Sequence, residues 1–403
     1  MSASPDSLRD EFPLLAAAPG LHYLDNAATS QIHRLALDAM VRHETTCRAN
    51  VARGTYRLAA AADRAYEGAR HVAARFLNAA SADEVVFTSG ATASLNLVAH
   101  AFGGLLQAGD RVVISVAEHH SNFVPWQMLR ERTGIELALL PVTASGRLAL
   151  AGLPELIGRN CRLVAVTHCS NVTGAMTDVA ALAEAAHRVG AKVLLDGAQA
   201  VQHGPQDVRA LGVDFYAFSG HKCFGPGGVG VLWGRGELLA TLPPFLTGGG
   251  MIASVTPQAA TWADPPQRFE AGTPPIAQAI GLAAALEWMM SLSWPRIQAR
   301  ENALCEQLTQ GLQHIPALRL LGPASGQRAP IVSFDIPGLH PHDICQVLDS
   351  RQLALRGGHH CAQPLLAALG VEACTRASMA LYNDEADIQA LLEGLEHALT
   401  VLR

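Results

Sequence analysis

The 403-residue chain is short of charge, of aromatic residues and of long apolar runs. Charged residues make up only 16% of it and the formal net charge is −6, which excludes the basic surface that a nucleic-acid binder or an anionic-membrane binder needs. Aromatics are 5%, too few for a row of base-stacking rings. The longest helix-like apolar run, residues 279–290, is interrupted by Glu287 and reads as a buried core helix, not as a membrane span. Residues 1–6 hold no basic segment leading into an apolar one, so no signal peptide is expected. The eight cysteines stand singly, with no CxxC pair and no regular framework. That spacing argues against disulfides and zinc, and for free thiols in the cytoplasm. Internal repeats and low-complexity linkers are also missing.

What the chain has is length and apolar content: 49% of its residues are hydrophobic, enough for two or three structural units with a buried core. Between residues 85 and 235, short β-branched runs alternate with helix-like segments. Runs at 84–87, 111–115, 163–167, 192–195 and 213–218 read as strands; the segments from Thr92 and over 178–189 read as helices. Near-continuous apolar strands between helices predict an α/β unit with a parallel or mixed sheet covered on both faces. Ligands in such sheets sit at the carboxyl ends of the strands. Beyond residue 290 the texture changes: helix-like runs at 297–313, 341–350 and 386–402 surround a strand-like 329–334, which suggests a smaller α+β domain. The expected division is a large domain over 21–288 and a small one over 289–403, with residues 1–20 packed beside it.

Lys222 lies in the small polar turn Ser219-Gly220-His221-Lys222, just past the apolar run 213–218 and before a glycine-rich stretch. A lysine placed there is expected to be desolvated, with a lowered pKa, and able to form a Schiff base with a carbonyl cofactor. Asp196 ends another strand. Alone it could be a helix N-cap; beside Lys222 it fits an acid paired to the pyridinium nitrogen of pyridoxal phosphate. Gln199, three residues on, could donate to that cofactor's phenolic oxygen, although an exposed helix glutamine is the plainer reading. Ser89-Gly90-Ala91-Thr92 offers backbone N–H groups and a hydroxyl for a phosphate, a weak signal alone, and Ser219 and His221 are further candidate donors.

The pairs His119-His120 and His359-His360 invite a metal reading, but no HxxxH or CxxC spacing supports it, and no metal site is expected. Adjacent strand residues face opposite ways, so each pair should offer one side chain to a site. His119 stacked on an aromatic cofactor ring explains that segment better. Cys361 sits between glycines and a proline, near Arg356 and the histidines, in a loop that suits a reactive thiolate. Cys169, Cys305, Cys345 and Cys374 sit in apolar segments and read as buried structural thiols. Arg376, between small residues in an apolar run, suits a substrate carboxylate, or equally a structural ion pair.

Taken in order, these segments resemble the class V aminotransferase-like pyridoxal-phosphate enzymes and, within them, the cysteine desulfurases. The likeness covers nearly the whole chain. It runs from Tyr23-Leu24-Asp25-Asn26 through Glu118-His119-His120-Ser121-Asn122, Ser170-Asn171, Asp196-Gly197-Ala198-Gln199 and Lys222 to Phe269-Glu270-Ala271-Gly272-Thr273-Pro274 and the Cys361 loop. The short Cys361 segment is similar to the Suf/Csd branch. The resemblance implies a fold-type-I transferase with a mainly parallel seven-stranded sheet, pyridoxal 5'-phosphate as cofactor, L-cysteine as substrate and a homodimer. It implies Lys222 as the covalent anchor and base, Asp196, Gln199 and His119 at the ring, and Asn171 near both cofactor and substrate. Ala91, Thr92, Ser219 and His221 would hold the phosphate, with Thr273 from a second subunit. Arg376 and Arg356 would hold the substrate carboxylate, and Cys361 would accept the sulfur before passing it to an acceptor protein. His119 could also protonate the product. Selenocysteine lyase and true aminotransferase are the competing activities. The family's Gly-Thr-Thr-Glu reads Gly90-Ala91-Thr92-Ala93 here, its His-Arg-Gly reads Ala52-Arg53-Gly54, and Cys223 follows the lysine.

Overall fold

A computed structural model describes residues 8–403; the stretch read above for a leader, residues 1–6, lies outside them. Seven strands form the main sheet: β1 (Val85–Thr88), β2 (Arg111–Ser115), β3 (Glu136–Leu140), β4 (Cys161–Thr167), β5 (Lys192–Asp196), β6 (Phe215–Ser219) and β7 (Gly230–Gly234). Their order is β1-β7-β6-β5-β4-β2-β3. Only β7 runs against its neighbours; the contacts among β3, β2, β4, β5 and β6 are all parallel. The expected α/β class and mainly parallel seven-stranded sheet are what the fold contains.

The strands are apolar on both sides because both faces are covered. In β2, Val113 enters one core while Val112 and Ile114 enter the other. In β5, Val193 and Leu195 share the first core and Leu194 the second. That period of two is the pleat. The first face is covered by the helices Arg57–Phe76, Val179–Arg188 and Ile276–Met290; the second by Ala91–Ala101 and Val124–Thr133, whose Trp126 is fully buried. The apolar run read as a core helix begins three residues earlier than expected, at Ile276. No single helix among the described residues is long and apolar enough to cross a membrane, and Ile276–Met290 is bent by 88° from the helix Trp294–Gln313 that follows.

A second, antiparallel sheet contains β8 (Arg319–Leu321), β9 (Ile331–Asp335), β10 (Arg356–Gly358) and β11 (Cys374–Ser378), in the order β8-β9-β11-β10. Its own core joins Val332, Phe334, Ile344, Leu348, Ile388 and Leu391. Near the N-terminus, Phe12 packs its ring against Phe224, Trp288 and Tyr382.

Candidate active site

Four parallel strands, β2, β4, β5 and β6, end at the same edge of the sheet, and the chain reverses its order of strands between β2 and β4. Loops diverge at such a point and leave a crevice. A cavity of about 520 Å³ opens there. It is lined by Ala91, Thr92, His119, Asn171, Asp196, Gln199, Ser219, His221, Lys222, Arg356, Cys361 and Arg376. Of the candidate residues, only Thr273 is elsewhere: it is exposed, lines a separate cleft with Ala52 and Arg53, and accepts a long hydrogen bond from Asn50 at 3.5 Å.

Lys222 ends a short 3₁₀ turn, Gly220–Lys222, directly after β6. Desolvation lowers its pKa from 10.5 to about 8, against the opposing pull of the Asp196 carboxylate. An amine attacks a carbonyl only when neutral. At pH 8 about half of Lys222 is neutral, against about 0.3% of a solvated lysine. Lys192 is the chain's other lysine and lies within 3.8 Å of Asp214, at the opposite end of the sheet. Reductive labelling with a small aldehyde and borohydride, read by peptide mass spectrometry, is therefore expected to rise with pH. It should reach half its plateau near pH 8 at Lys222, with Lys192 as the internal control; a Lys222 midpoint above pH 10 would refute the desolvation argument.

Asp196 is buried at the end of β5, and its Oδ1 accepts the Ala198 N–H at 3.0 Å. Burial raises its pKa, and among the described residues no cation stands within ion-pair distance of it. A carboxylate buried this way calls for a positively charged donor. Gly197 follows because any side chain there would strike the Tyr216 ring, 2.1 Å from the added carbon. Gln199 is buried in a loop just before a 3₁₀ turn, not exposed on a helix as the plainer reading had it. Its Nε2 donates to the Ala27 carbonyl at 2.8 Å, and its Oε1 has no partner.

His119 Nδ1 accepts the Ser121 N–H at 3.1 Å, which leaves the ring proton on Nε2. Burial and nearby Lys222 lower its pKa to about 4, so the ring is neutral. At the other end, the helix Ala91–Ala101 starts at Gly90, with φ +153 and no side-chain cap. Its first-turn amides are thus available to an anion, apart from Ala91, which donates to Ser219 Oγ at 2.8 Å. Thr92 Oγ1 and Ser121 Oγ are 2.7 Å apart beside it.

Cys361 is exposed at the mouth of the cavity. His360 and Cys361 are both left-handed, with φ of +51° and +54°. Each such non-glycine residue costs about 1–2 kcal/mol, so the surroundings must hold the turn. The Asn171 amide donates to His360 O at 2.7 Å, and the His120 N–H donates to Cys361 O at 2.7 Å. Arg376 is buried; its Nη1 donates to Asn171 O at 2.9 Å and its Nη2 to Asp25 Oδ1 at 3.0 Å, while Nε has no partner. Arg356, more exposed, approaches the same Asp25 at 3.6 Å.

One expectation is corrected. Both members of each histidine pair line the cavity. The alternation argument applies to strands, but His119 caps a 3₁₀ turn, His120–Asn122, and His359 and His360 lie in the turn after β10. A second correction concerns Cys345, which is half-buried; Cys169, Cys305 and Cys374 are buried as expected. Sequence reasoning missed Asp25, which joins the two arginines, and also His342 and Thr167 in the cavity wall. Asp25 stood in a quoted motif, but nothing local shows that a partner lies 351 residues away.

The family model for aminotransferase class-V matches residues 22–391. The chain belongs to this family. Among class-V aminotransferase relatives, a probable cysteine desulfurase of Streptomyces coelicolor is 46% identical over 402 residues, covering 97% of this chain and 96% of that one. The crystal structure of the cysteine desulfurase CsdA from Escherichia coli superposes with a TM-score of 0.93 at 39% identity, covering all of both chains. C-DES, solved as a lysine variant with glycine covalently linked to its PLP cofactor, matches with a TM-score of 0.82 at 27% identity over 96% of this chain and 98% of that one.

Proposed function

We propose that this class-V enzyme is a cysteine desulfurase that carries pyridoxal 5'-phosphate on Lys222 and converts L-cysteine to L-alanine, leaving the sulfur as a persulfide on Cys361. The observation that carries the proposal is the opening of Lys222, Asp196 and an exposed Cys361 onto one cavity. The residues fit the cofactor. The buried Asp196 carboxylate has no ion-pair contact among the described residues, the Gln199 amide has an unused oxygen and a spare N–H, and the uncapped helix at Gly90 faces the same space. When bound, pyridoxal phosphate supplies an electron-withdrawing ring that stabilises negative charge at the substrate Cα.

The chain's own residues do the rest. Asp196 would keep the ring nitrogen protonated, Gln199 and Asn171 would contact the ring, and neutral His119 would stack on it. Thr92, Ser219, His221 and the Ala91 turn would hold the phosphate. Arg376 receives the substrate carboxylate, with Arg356 beside it. Lys222 takes the Cα proton. The Cys361 thiolate would then attack the substrate sulfur: an S–S bond forms, the C–S bond breaks, and its electron pair stays with the three-carbon fragment, which takes up one proton at Cβ, regains the Cα proton from Lys222 and leaves as alanine. In this reading His119 would relay the Cβ proton.

The exposed thiol also supports hand-over to an acceptor protein, and the eight free cysteines suit the cytoplasm. Thr273 faces away from its own chain's cavity, which agrees with a homodimer in which each subunit completes its partner's phosphate site. The domain division at residues 288–289 is part of the same proposal. The deciding experiment records the visible absorption of the cofactor-loaded protein before and after L-cysteine, with alanine and Cys361 persulfide measured together. Stoichiometric alanine and persulfide are expected. Keto-acid-dependent amino transfer without persulfide would replace the proposal with an aminotransferase.

A further inference from the structure

Glu118 is fully buried beside the cavity, and the proposed chemistry gives it no task. Every group hydrogen-bonded to it donates, and the Asp196 carboxylate acts on it only through its charge. Its Oε1 accepts the Thr167 backbone N–H at 2.9 Å and the Ser115 hydroxyl, and its Oε2 accepts the Asn122 amide at 2.7 Å. The direction of each bond is set from further out. The Trp126 indole N–H can only donate, and it binds Asn122 Oδ1 at 3.0 Å, which turns the Asn122 NH₂ toward Glu118. A backbone N–H also only donates. The Ser115 hydroxyl accepts the Ala117 N–H at 3.1 Å and donates its own hydrogen to Glu118. Position 118 must therefore accept at both oxygens, which a carboxylate does and an amide cannot.

We propose that Glu118 is the positioning residue for the His119 ring, and that the task requires its two acceptor oxygens. The Glu118–Asn122 bond closes a loop whose other members are His119, His120 and Ser121. Within it, His119 Nδ1 is tied to Ser121 through the N–H at 3.1 Å and the hydroxyl at 3.0 Å. The same carboxylate ties the end of β2, at Ser115, to the end of β4, at Thr167. One buried group thus sets how the His119 turn sits against the strand that leads to Asn171. Burial, with the Asp196 carboxylate nearby, pushes the Glu118 carboxyl up to about 8 against the pull of the three donors, so the need for two acceptor oxygens rests on the donor geometry. The inference rests on the proposed stacking of His119 over the cofactor ring.

The test is a polarity swap. Glu118→Gln keeps the shape but sets an N–H against Asn122 Nδ2 or Thr167 N. Adding Asn122→Asp restores every bond, since the carboxylate placed at position 122 accepts both from Trp126 and from the NH₂ placed at position 118. Pyridoxal phosphate affinity and turnover are expected to fall about 10- to 100-fold in E118Q and to return close to wild type in E118Q/N122D. In the cofactor-free proteins, the His119 imidazole NMR signals should move in E118Q and return in the double variant. That readout is independent of whether the desulfurase reading holds; if that reading fails, wild type itself binds no cofactor or makes no persulfide. Wild-type affinity and His119 signals in E118Q, or a double variant no better than the single, would overturn the inference. Should E118Q fail to fold, a folded double variant with restored signals supports it and an unfolded one overturns it.

Discussion

Lys222→Ala is expected to end covalent cofactor attachment and to lower turnover by about 10³-fold or more, the range for loss of a positioned acid–base group combined with loss of the anchor. The expectation follows from scarcity as well as position. The chain has two lysines, and Lys192 lies at the start of β5, whereas the cavity is at that strand's end. No other side chain in the cavity can supply an amine. The variant should still bind pyridoxal phosphate non-covalently, because Asp196 and the amides at Gly90 are untouched. Absorption of the loaded protein and borohydride trapping check this directly. A small primary amine added to the variant should restore part of the Cα proton transfer, since truncation leaves room at the site. Covalent trapping at Lys192 with turnover retained would contradict the assignment.

Cys361→Ala is expected to abolish persulfide formation, with sulfur transfer down by more than about 10³-fold and cofactor binding unchanged. The cavity has a second thiol, Cys169, but burial pushes it up to about 12, so about one in 10⁵ is ionised at pH 7. Cys374 is likewise raised to about 12 and lies in β11, and burial raises Cys223 further still. None of these substitutes for an exposed thiol at the mouth. Alanine is the right replacement because it keeps a Cβ at φ +54, so the strain in the turn is unaltered. Mass spectrometry of the cysteine-treated protein tests the result. A persulfide on Cys169 in the variant, with full sulfide release, would move the acceptor role there.

Most of the strand ends are readable from sequence because a parallel sheet covered on both faces leaves apolar runs that stop where the polar loop begins. Lys192–Asp196 ends at Asp196 and Phe215–Ser219 ends three residues before Lys222 for that reason. The alternation argument fails at the histidine pairs because it belongs to strands, and neither pair is in one. Gln199 reads as surface because nothing near it in the chain shows the Ala27 carbonyl, 172 residues away, that holds it. The polarity of the Glu118 network is invisible too, although four of its members lie within residues 115–126. Composition does not say which way an amide points; the Trp126 indole and the Thr167 N–H do.

By itself, then, the sequence determined which residue types could do the chemistry and which strands they follow, because local periodicity and turn composition dictate where a chain leaves a sheet. The tertiary structure decided what those residues are. It lowered Lys222 to about 8 by desolvation, buried Asp196 with no ion-pair contact among the described residues, and tied Arg376 and Arg356 to one aspartate. It also held Cys361 exposed in a left-handed turn. Each of these depends on groups brought together from distant parts of the chain, and desolvation and hydrogen-bond direction exist only once those groups are in contact.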